Sequence, residues 1–421
     1  MFTPSSQVFD CNTVARVMLE GLISQSEVED EEDAWKWLRT PPRNTVLRVN
    51  TSQMSREEAL VILDGLVGEN RAVAHPTMQE VISVPGRWGW DSSQLTTDSC
   101  SRAVVVGSGC GVAVLRGAEV FAPGIFSAPA DMVAGERVAV LADVRNACLK
   151  GAKSFSGETY FVGNGVAQIS REQLFSGSDA KTGIGIKMEQ RIFDCPSLNS
   201  TDLPSSLMLQ NLPSIMAVDH LGPQPGERIL DMCAAPGGKT CHIAARLCGK
   251  GLVVALDKTK AKVESIRKNC TRQKVDDVVG TFAIDATKTL KEECDTGTGV
   301  RETENITKEK LSNPINEERS SPPLPCPPPT CPPTTCPPPP WPPAQFDRVL
   351  LDAPCSALGQ RPQFYNPMKE KELASFSKIQ RKLFKTAALH LKPGLLNCSP
   401  KIVITSNRWN SGVFYMHLQP S

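Results

Sequence analysis

Two short motifs carry residues that could take part in chemistry, and each follows an apolar run typical of a buried strand. The first is Cys233-Ala234-Ala235-Pro236-Gly237-Gly238-Lys239-Thr240, and it precedes a helical pattern over residues 242–247. A strand, a tight turn and a helix N-terminus present free backbone N–H groups to a ligand carboxylate or phosphate. The second motif, Asp352-Ala353-Pro354-Cys355-Ser356, places a carboxylate and a thiol at the end of another strand.

The first motif does not match two common phosphate-binding loops. A Walker A loop requires a glycine at the position that Cys233 occupies. A nicotinamide dinucleotide site favours Gly-x-Gly-x-x-Gly, which this turn lacks. The sequence of this turn therefore argues against both a Walker A phosphate-binding loop and a nicotinamide dinucleotide site.

Two further predicted strands also end in carboxylates. Residues 252–256 lead into Asp257, and residues 278–284 lead into Asp285. A carboxylate at the end of the second strand can accept hydrogen bonds from ribose hydroxyls, and Asp285 suits the exocyclic amine of an adenine. Four strands with polar residues at their carboxyl ends predict one crevice in an open, mostly parallel α/β sheet.

These motifs resemble the NSUN (Sun-domain) family of RNA cytosine-C5 methyltransferases, and most closely its tRNA-methylating member with a PUA domain. The resemblance also includes Gln210-Asn211-Leu212-Pro213-Ser214 and covers nearly all of residues 1–290 and 345–393. It implies a Rossmann-like class I methyltransferase fold and the cofactor S-adenosyl-L-methionine. The cofactor-binding residues it implies are Cys233, Ala234, Ala235, Pro236, Gly237, Gly238, Lys239, Asp257, Asp285 and Asp352. The implied substrate is a cytosine near the 3′ end of a tRNA acceptor stem.

The resemblance also implies roles for three catalytic residues. Because cytosine C5 is a weak nucleophile, enzymes of this family add a cysteine thiolate to C6, methylate C5 and then eliminate the thiol. Asp352 would contact the N3 edge of the base, and Lys239 would support the pocket electrostatically. Cys355 would assist proton removal and product release. The alternative for Cys355 is a buried structural thiol.

The attacking cysteine that the family carries is missing from its usual place. In the family it lies in a Thr-Cys pair just after the fifth strand, beyond a Leu-Lys-Pro sequence. Leu391-Lys392-Pro393 is present, but Cys398 comes before the predicted strand over residues 402–405, not after it. We therefore expect a truncated C-terminus that leaves a sheet edge unpaired. The alternative function is an impaired isoform that binds RNA and S-adenosylmethionine without methylating.

The stretch from residue 102 to residue 194 has short β-rich runs, at residues 103–107, 111–115, 137–140 and 160–162. This texture predicts a compact barrel or sandwich. Residues 113–125 and 163–167 resemble the PUA domain, a small β-barrel of RNA-modifying proteins. The resemblance implies RNA binding, with Arg116, Phe121, Lys150 and Lys153 as candidates for phosphate contact and stacking. Surface charge or core packing is the alternative for each.

Composition points to three units and one insertion. The chain has 421 residues, and its 46 Lys and Arg against 45 Asp and Glu select no partner. From residue 348 onward, however, the sequence has eleven basic residues and only three acidic ones, and this excess of positive charge suits an RNA backbone. We predict an N-terminal α/β region (1–101), a PUA domain (102–194) and a methyltransferase domain (205–421). A disordered proline-rich insertion (292–344) would interrupt the methyltransferase domain.

Other classes of site and location are disfavoured. The 15 cysteines include no Cys-x-x-Cys pair, and the five histidines form no His-Glu-x-x-His motif, so we expect free thiols and no metal. We find neither a signal peptide pattern nor about 18 consecutive apolar residues. The sequence predicts a cytoplasmic monomer without a membrane partner.

Overall fold

The computed structural model of the protein describes residues 31–69, 71–86, 100–176, 182–291, 337–357, 360–365, 368–393, 401–405 and 413–416. Within these residues the strands form three sheets, one of four strands and two of six. Elements are numbered below in chain order. No helix of this described part is long and apolar enough to cross a membrane.

The four-stranded sheet has the order β10-β1-β3-β2. Its strands are β1 (Asn44–Val49), β2 (Val73–Ala74), β3 (Val81–Pro85) and β10 (Leu207–Leu209), with helices α1 (Glu31–Arg39) and α2 (Arg56–Val67). The register pairs Leu47 with Leu209. This pairing joins residues that the sequence analysis groups with the methyltransferase domain to the N-terminal strands. The division into three domains remains a prediction.

The second sheet, which we call the barrel, has the order β5-β9-β8-β7-β4-β6. Its edge strands β5 and β6 are separated in the chain only by a single turn, Ala122–Gly124, so the sheet must curl until its edges meet. The elements are β4 (Ala103–Val106), α3 (Ser108–Leu115), β5 (Val120–Phe121), β6 (Ile125–Ser127), β7 (Arg137–Asp143), β8 (Thr159–Ala167), α4 (Arg171–Phe175) and β9 (Ile184–Arg191). The predicted barrel is thus present.

One predicted strand of the barrel is wrong. Residues 111–115 lie in helix α3, although valine and leucine favour strands locally. The helix buries Gly111, Val114 and Leu115 together. Spacings of three and four residues place side chains on one helical face, so tertiary packing overrides the local preference.

The third sheet has the order β13-β12-β11-β14-β15-β16, parallel except for the last strand. Its elements are α5 (Leu212–Leu221), β11 (Arg228–Asp231), α6 (Gly238–Arg246), β12 (Leu252–Asp257), α7 (Lys260–Arg272), β13 (Val279–Ala283), β14 (Arg348–Asp352), α8 (Glu370–His390), β15 (Lys401–Thr405) and β16 (Val413–Met416). The strand order reverses between β11 and β14, which is where open α/β sheets bind ligands. The predicted open, mostly parallel sheet is confirmed.

The outer edge of this sheet differs from the prediction. Strand β16 pairs antiparallel with β15, with Val403 opposite Tyr415. The edge that we expected to be unpaired is therefore covered. Cys398 lies outside the described residues, and the predicted truncation remains a prediction.

The last part of the predicted disordered insertion belongs to the ordered fold. Trp341 is 3% exposed and packs between the rings of Phe282, Phe346 and His390. Its backbone N–H donates to the Thr289 carbonyl at 2.8 Å. Burial of a large aromatic side chain outweighs the restrictions that the surrounding prolines impose. Residues 292–336 of the insertion lie outside the described residues.

Candidate active site

The loop between β11 and α6 crosses the carboxyl ends of the neighbouring strands. The N–H of Met232 donates to the Leu350 carbonyl at 3.0 Å, and the N–H of Ala234 donates to the Leu256 carbonyl at 2.8 Å. Gly237 has φ +107°, a conformation that side chains rarely adopt. A Cβ at this position would also lie 3.1 Å from Cα of Ile266 in α7. Glycine is therefore required here by backbone conformation and by packing against α7.

Asp231 ties the start of α6 to the end of β11. It is 1% exposed, and its Oδ2 accepts a hydrogen bond from the Thr240 hydroxyl at 2.8 Å. Burial raises the pKa of Asp231 to about 7, since the low-dielectric interior disfavours the charged carboxylate. No role was predicted for Asp231. Its position offered a signal, because it is a carboxylate at the end of the strand that leads into the first motif.

Asp257 holds the same loop from the end of β12. Its Oδ2 accepts a hydrogen bond from the N–H of Ala235 at 3.2 Å, and its Oδ1 accepts one from the N–H of Lys258 at 2.7 Å. The ammonium group of Lys262 lies 3.3 Å from Oδ1. A carboxylate has about four acceptor positions, so the Asp257 oxygens retain capacity for ribose hydroxyls.

Asp285 follows β13 as a half-buried carboxylate. Its Oδ1 accepts hydrogen bonds from the Thr287 hydroxyl at 2.8 Å and from the Thr287 N–H at 3.0 Å. These bonds, the one from the hydroxyl above all, lower the pKa of Asp285 and favour its charged form. Both bonds use Oδ1, and a carboxylate has acceptor positions on each oxygen, so Asp285 retains capacity for a donor such as an adenine amine.

Lys239 and Asp352 are joined across the point where the strand order reverses. Nζ of Lys239, on α6, lies 2.6 Å from Oδ2 of Asp352, at the end of β14. The two side chains are 16% and 37% exposed, so this ion pair is partly shielded and open on one side. The structure thus brings together two residues that are far apart in the chain and that the sequence analysis assigned to catalysis.

Two cysteines lie at this end of the sheet and differ in environment. Cys233 is partly buried, and burial raises the pKa of its thiol to about 12. A thiol that stays protonated at neutral pH is a poor nucleophile, which disfavours Cys233 as an attacking group. Cys355 is half-buried in the loop after β14. The preceding carbonyl, that of Pro354, accepts a hydrogen bond from Nε2 of Gln380 in α8 at 2.9 Å.

The residues predicted to bind RNA are exposed but separate into two groups. Arg116 lines a crevice of about 330 Å³ between α3 and the loop that contains Ser356 and Ala357. Its guanidinium also donates to the Arg361 carbonyl at 2.5 Å. Phe121, 51% exposed on β5, and the exposed Lys150 and Lys153 between β7 and β8 do not line this crevice. Only Arg116 is placed next to the loop of Cys355.

A basic surface lies beside the same loop, on helix α8. Gln380, which contacts the loop, is flanked along the helix by exposed cationic side chains. These are Lys371, Lys378, Arg381, Lys382 and Lys385. The basic C-terminal segment predicted from the sequence therefore presents part of its charge near the site. In the described part of the chain, no group of three or more His, Cys, Asp or Glu could hold a metal ion.

Arg48, which was not predicted as a functional residue, supports the site from the N-terminal sheet. Arg48 is 1% exposed, and it donates from Nε to Oε1 of Gln210 at 2.9 Å and from Nη2 to Oε1 of Gln273 at 3.3 Å. A Cβ at Gly238 would lie 3.8 Å from Cδ of Gln210, so this network underlies the start of α6. The partners of Arg48 lie more than 150 residues away in sequence, which no local pattern reveals.

The model of the 16S rRNA methyltransferase RsmB/F family matches residues 218–296 and 335–403. The chain is 39% identical over 368 residues to the human tRNA (cytosine(72)-C(5))-methyltransferase NSUN6, covering 86% of this chain and 69% of the human protein. It is 30% identical over 355 residues to the Arabidopsis thaliana rRNA (cytosine-C(5))-methyltransferase NOP2C. This match covers 70% of this chain and 58% of the Arabidopsis protein.

Among solved structures, the crystal structure of NSun6 from Pyrococcus horikoshii with SFG superposes with a TM-score of 0.64. Its sequence is 24% identical, and the match covers 92% of this chain and 81% of that chain. This likeness extends over all three sheets and shows that the two proteins share a fold.

Proposed function

This chain belongs to the RsmB/F family of RNA cytosine-C5 methyltransferases, and we propose that it transfers a methyl group from S-adenosylmethionine to cytosine C5 in tRNA. The observation that carries the proposal is the Lys239–Asp352 pair at the reversal of strand order. The human and mouse relatives are named for cytosine 72 of tRNA, which supports a target near the 3′ end of the acceptor stem.

The residues at the carboxyl ends of β11, β12 and β13 fit S-adenosylmethionine. Ala234, Ala235 and Gly237 keep the loop free of bulky side chains, and Asp257 and Asp285 offer acceptors for ribose hydroxyls and an adenine amine. When bound there, the cofactor supplies the methyl group. We assign Cys233, Pro236, Gly238, Lys239 and Asp352 to the remaining lining of this site.

Lys239 and Asp352 would stabilise charge on the base. When a thiolate adds to C6, electron density moves toward N3 and O2 of the pyrimidine. In this proposal the carboxyl group of Asp352 gives a proton to N3 as negative charge develops there, and the Lys239 cation, 2.6 Å away, balances the carboxylate that remains. Such a pair works best when it is held in place before the reaction, as it is here.

Cys355 is the proposed assistant in proton removal from C5 and in release of the product. No residue is assigned as the attacking thiolate, because Ser406 and Asn407, not the family's Thr-Cys pair, follow β15 directly. This observation favours a second candidate function, in which the chain binds RNA and S-adenosylmethionine without methylating. The two functions predict different outcomes in one assay.

The test incubates the full chain with tRNA and labelled S-adenosylmethionine, and in parallel with RNA that contains 5-azacytosine. Label in tRNA and a covalent protein–RNA adduct would establish methyl transfer. Binding of both ligands without label or adduct would establish the second function. A Cys398→Ala variant that loses the adduct would identify Cys398 as the attacking thiol, and an unchanged adduct would exclude it.

The proposed partner is RNA, bound through the barrel and the basic surface of α8. In this proposal Arg116 contacts RNA within the crevice, while Phe121, Lys150 and Lys153 extend the contact along the barrel. We also propose that the barrel is a PUA domain and that the protein is a cytoplasmic monomer without a bound metal. Light scattering of the free and RNA-bound chain tests the oligomeric state.

A further inference from the structure

The loop that carries Cys355 ends in the hydrophobic core of the barrel. Nine residues after Cys355, the side chain of Phe364 is 2% exposed and belongs to the same core as Val114, Val140 and Ile186. Its ring lies 5.3 Å from the ring of Tyr160, measured between centroids. The barrel core is therefore completed by a residue from the catalytic loop.

The barrel is shaped to receive this ring. A Cβ at Gly111 of α3 would lie 2.3 Å from Cβ of Ala142 in β7 and 3.0 Å from Cε2 of Phe364. Glycine at this position therefore leaves room both for β7 and for the ring. Close-packed interiors tolerate little change in volume, so the ring has little freedom to move within the barrel core.

Neighbouring residues of the same segment are held as well. The Arg361 guanidinium lies 3.9 Å from the centroid of the Trp37 ring in α1, and the Arg361 carbonyl accepts the hydrogen bond from Arg116. The N–H of Gln363 donates to the Leu38 carbonyl at 2.9 Å. One cation–π contact, two hydrogen bonds and the burial of Phe364 thus hold residues 361–364 against both α1 and the barrel.

The other end of the loop is held by the methyltransferase sheet. Asp352 ends β14, and the Pro354 carbonyl accepts the hydrogen bond from Gln380. Cys355 thus lies on a short connection anchored on one side by the sheet and α8 and on the other by the barrel. Neither anchor alone would define where the thiol lies.

We propose that Phe364 is a positioning residue for Cys355, through which the barrel builds part of the active site. The inference rests on the proposed methyl transfer, since that reaction is what the position of Cys355 serves. Phe364 touches neither substrate nor cofactor in this proposal. It acts by restricting the conformations of the loop, and small displacements of reacting groups are costly.

The test compares Phe364→Ala with Leu174→Ala, which shortens a side chain of the same barrel core on α4. We expect Phe364→Ala to lower kcat by about tenfold or more while KM for S-adenosylmethionine stays within about twofold. Phe364→Leu should recover most of the rate. An equal loss of kcat in both alanine variants would overturn the proposal, because general loosening of the barrel would then explain the effect.

A second measurement does not depend on methyl transfer. The rate of alkylation of Cys355 by iodoacetamide is followed by peptide mass spectrometry, with the exposed Cys248 of the same chain as internal reference. Release of the loop in Phe364→Ala should raise the rate at Cys355 at least about threefold relative to Cys248. An unchanged ratio would refute the anchor. If Phe364→Ala speeds alkylation of Cys355 but the parent chain transfers no methyl group, Phe364 still anchors the loop and the proposed methyl transfer is refuted.

Discussion

Nζ of Lys239 and Oδ2 of Asp352, 113 positions apart in sequence, are 2.6 Å apart in the fold. The two residues come from α6 and β14, on either side of the point where the strand order reverses. We predict that Lys239→Ala and Asp352→Ala each lower methyl transfer to tRNA by at least about 100-fold, because charge on the base is then unbalanced. Initial rates at saturating S-adenosylmethionine measure the loss.

A matched control exists in the same domain. Lys392 and Asp347 form an ion pair of the same 2.6 Å length, but Asp347 precedes β14 and so lies at the amino end of the strand, opposite the end that carries the site. Lys392→Ala should leave the rate unchanged, since exposed ion pairs contribute little. A comparable loss in Lys392→Ala and Lys239→Ala would contradict a catalytic role for Lys239.

Asp231 should make the folded state less stable as the pH rises. Its pKa is raised by burial to about 7, whereas in the unfolded chain it is about 3.9. Between these values the folded state retains a proton that the unfolded state has lost, so stability falls with increasing pH by up to about 1.4 kcal/mol per pH unit. Asp231→Asn should remove this contribution.

Urea unfolding from pH 4.5 to pH 8 tests the prediction. The difference in unfolding free energy between Asp231→Asn and the parent chain should shift in favour of the variant as the pH rises, and level off above about pH 7. Asp277→Asn, at an exposed position, serves as the control. Parallel curves for the parent and Asp231→Asn would show that Asp231 titrates normally.

The central strands and the ligand loop could be predicted because their signals are local. Strands β12 and β14 contain continuous apolar runs, at residues 252–256 and 349–351, because the sheet is covered on both faces. Strand β11 contributes the shorter run Ile229–Leu230, and Gly237 marks the turn that follows. The assignment of Lys239 and Asp352 to one pocket came from resemblance to a family, and their direct contact was not predicted. Neither residue indicates the other by spacing, because a parallel sheet brings distant segments together.

The features that sequence reasoning missed depend on tertiary packing. Helix α3 has strand-favouring residues but packs one face into the barrel, and Trp341 is surrounded by prolines but fills a space between β13 and α8. Strand β10 has three residues, too few for a periodic signal, and pairs with β1 from the N-terminal region. Phe364 was not singled out at all, because its local sequence does not indicate that it packs into the barrel.

Arg48 should stabilise the packing of the N-terminal sheet against the methyltransferase domain. Burial lowers the pKa of its guanidinium to about 10, so it stays charged at neutral pH and stays bonded to Gln210 and Gln273. Arg48→Ala should cost about 3 kcal/mol, because two buried amide oxygens lose their donor. Urea unfolding measures the cost, and Arg137→Ala, from an exposed pair with Glu189, should cost less than about 1 kcal/mol. Equal costs would contradict a special role for Arg48.

Trp341 should stabilise the fold despite its place at the end of the proline-rich stretch. Its ring contacts three other rings, among them that of His390, which is fully buried. Trp341→Ala should lower the free energy of unfolding by about 3–5 kcal/mol. Leu389→Ala, at a position 56% exposed on α8, should have little effect. A cost below about 1 kcal/mol for Trp341→Ala would show that this end of the insertion is not part of the core.

The insertion should be removable between its two anchored ends. Leu290 and Trp341 form a bridge, and the N–H of Lys291 donates to the Trp341 carbonyl at 2.8 Å, so the chain leaves and re-enters the fold at one place. Replacing residues 294–334 with a short Gly-Ser linker should keep methyl transfer and RNA binding, and should raise unfolding stability by about 1 kcal/mol through a lower loop-closure entropy. A Gly-Ser linker of the original length is the control. Loss of RNA binding in both linker variants would show that residues 294–334 take part in recognition, which would contradict the prediction.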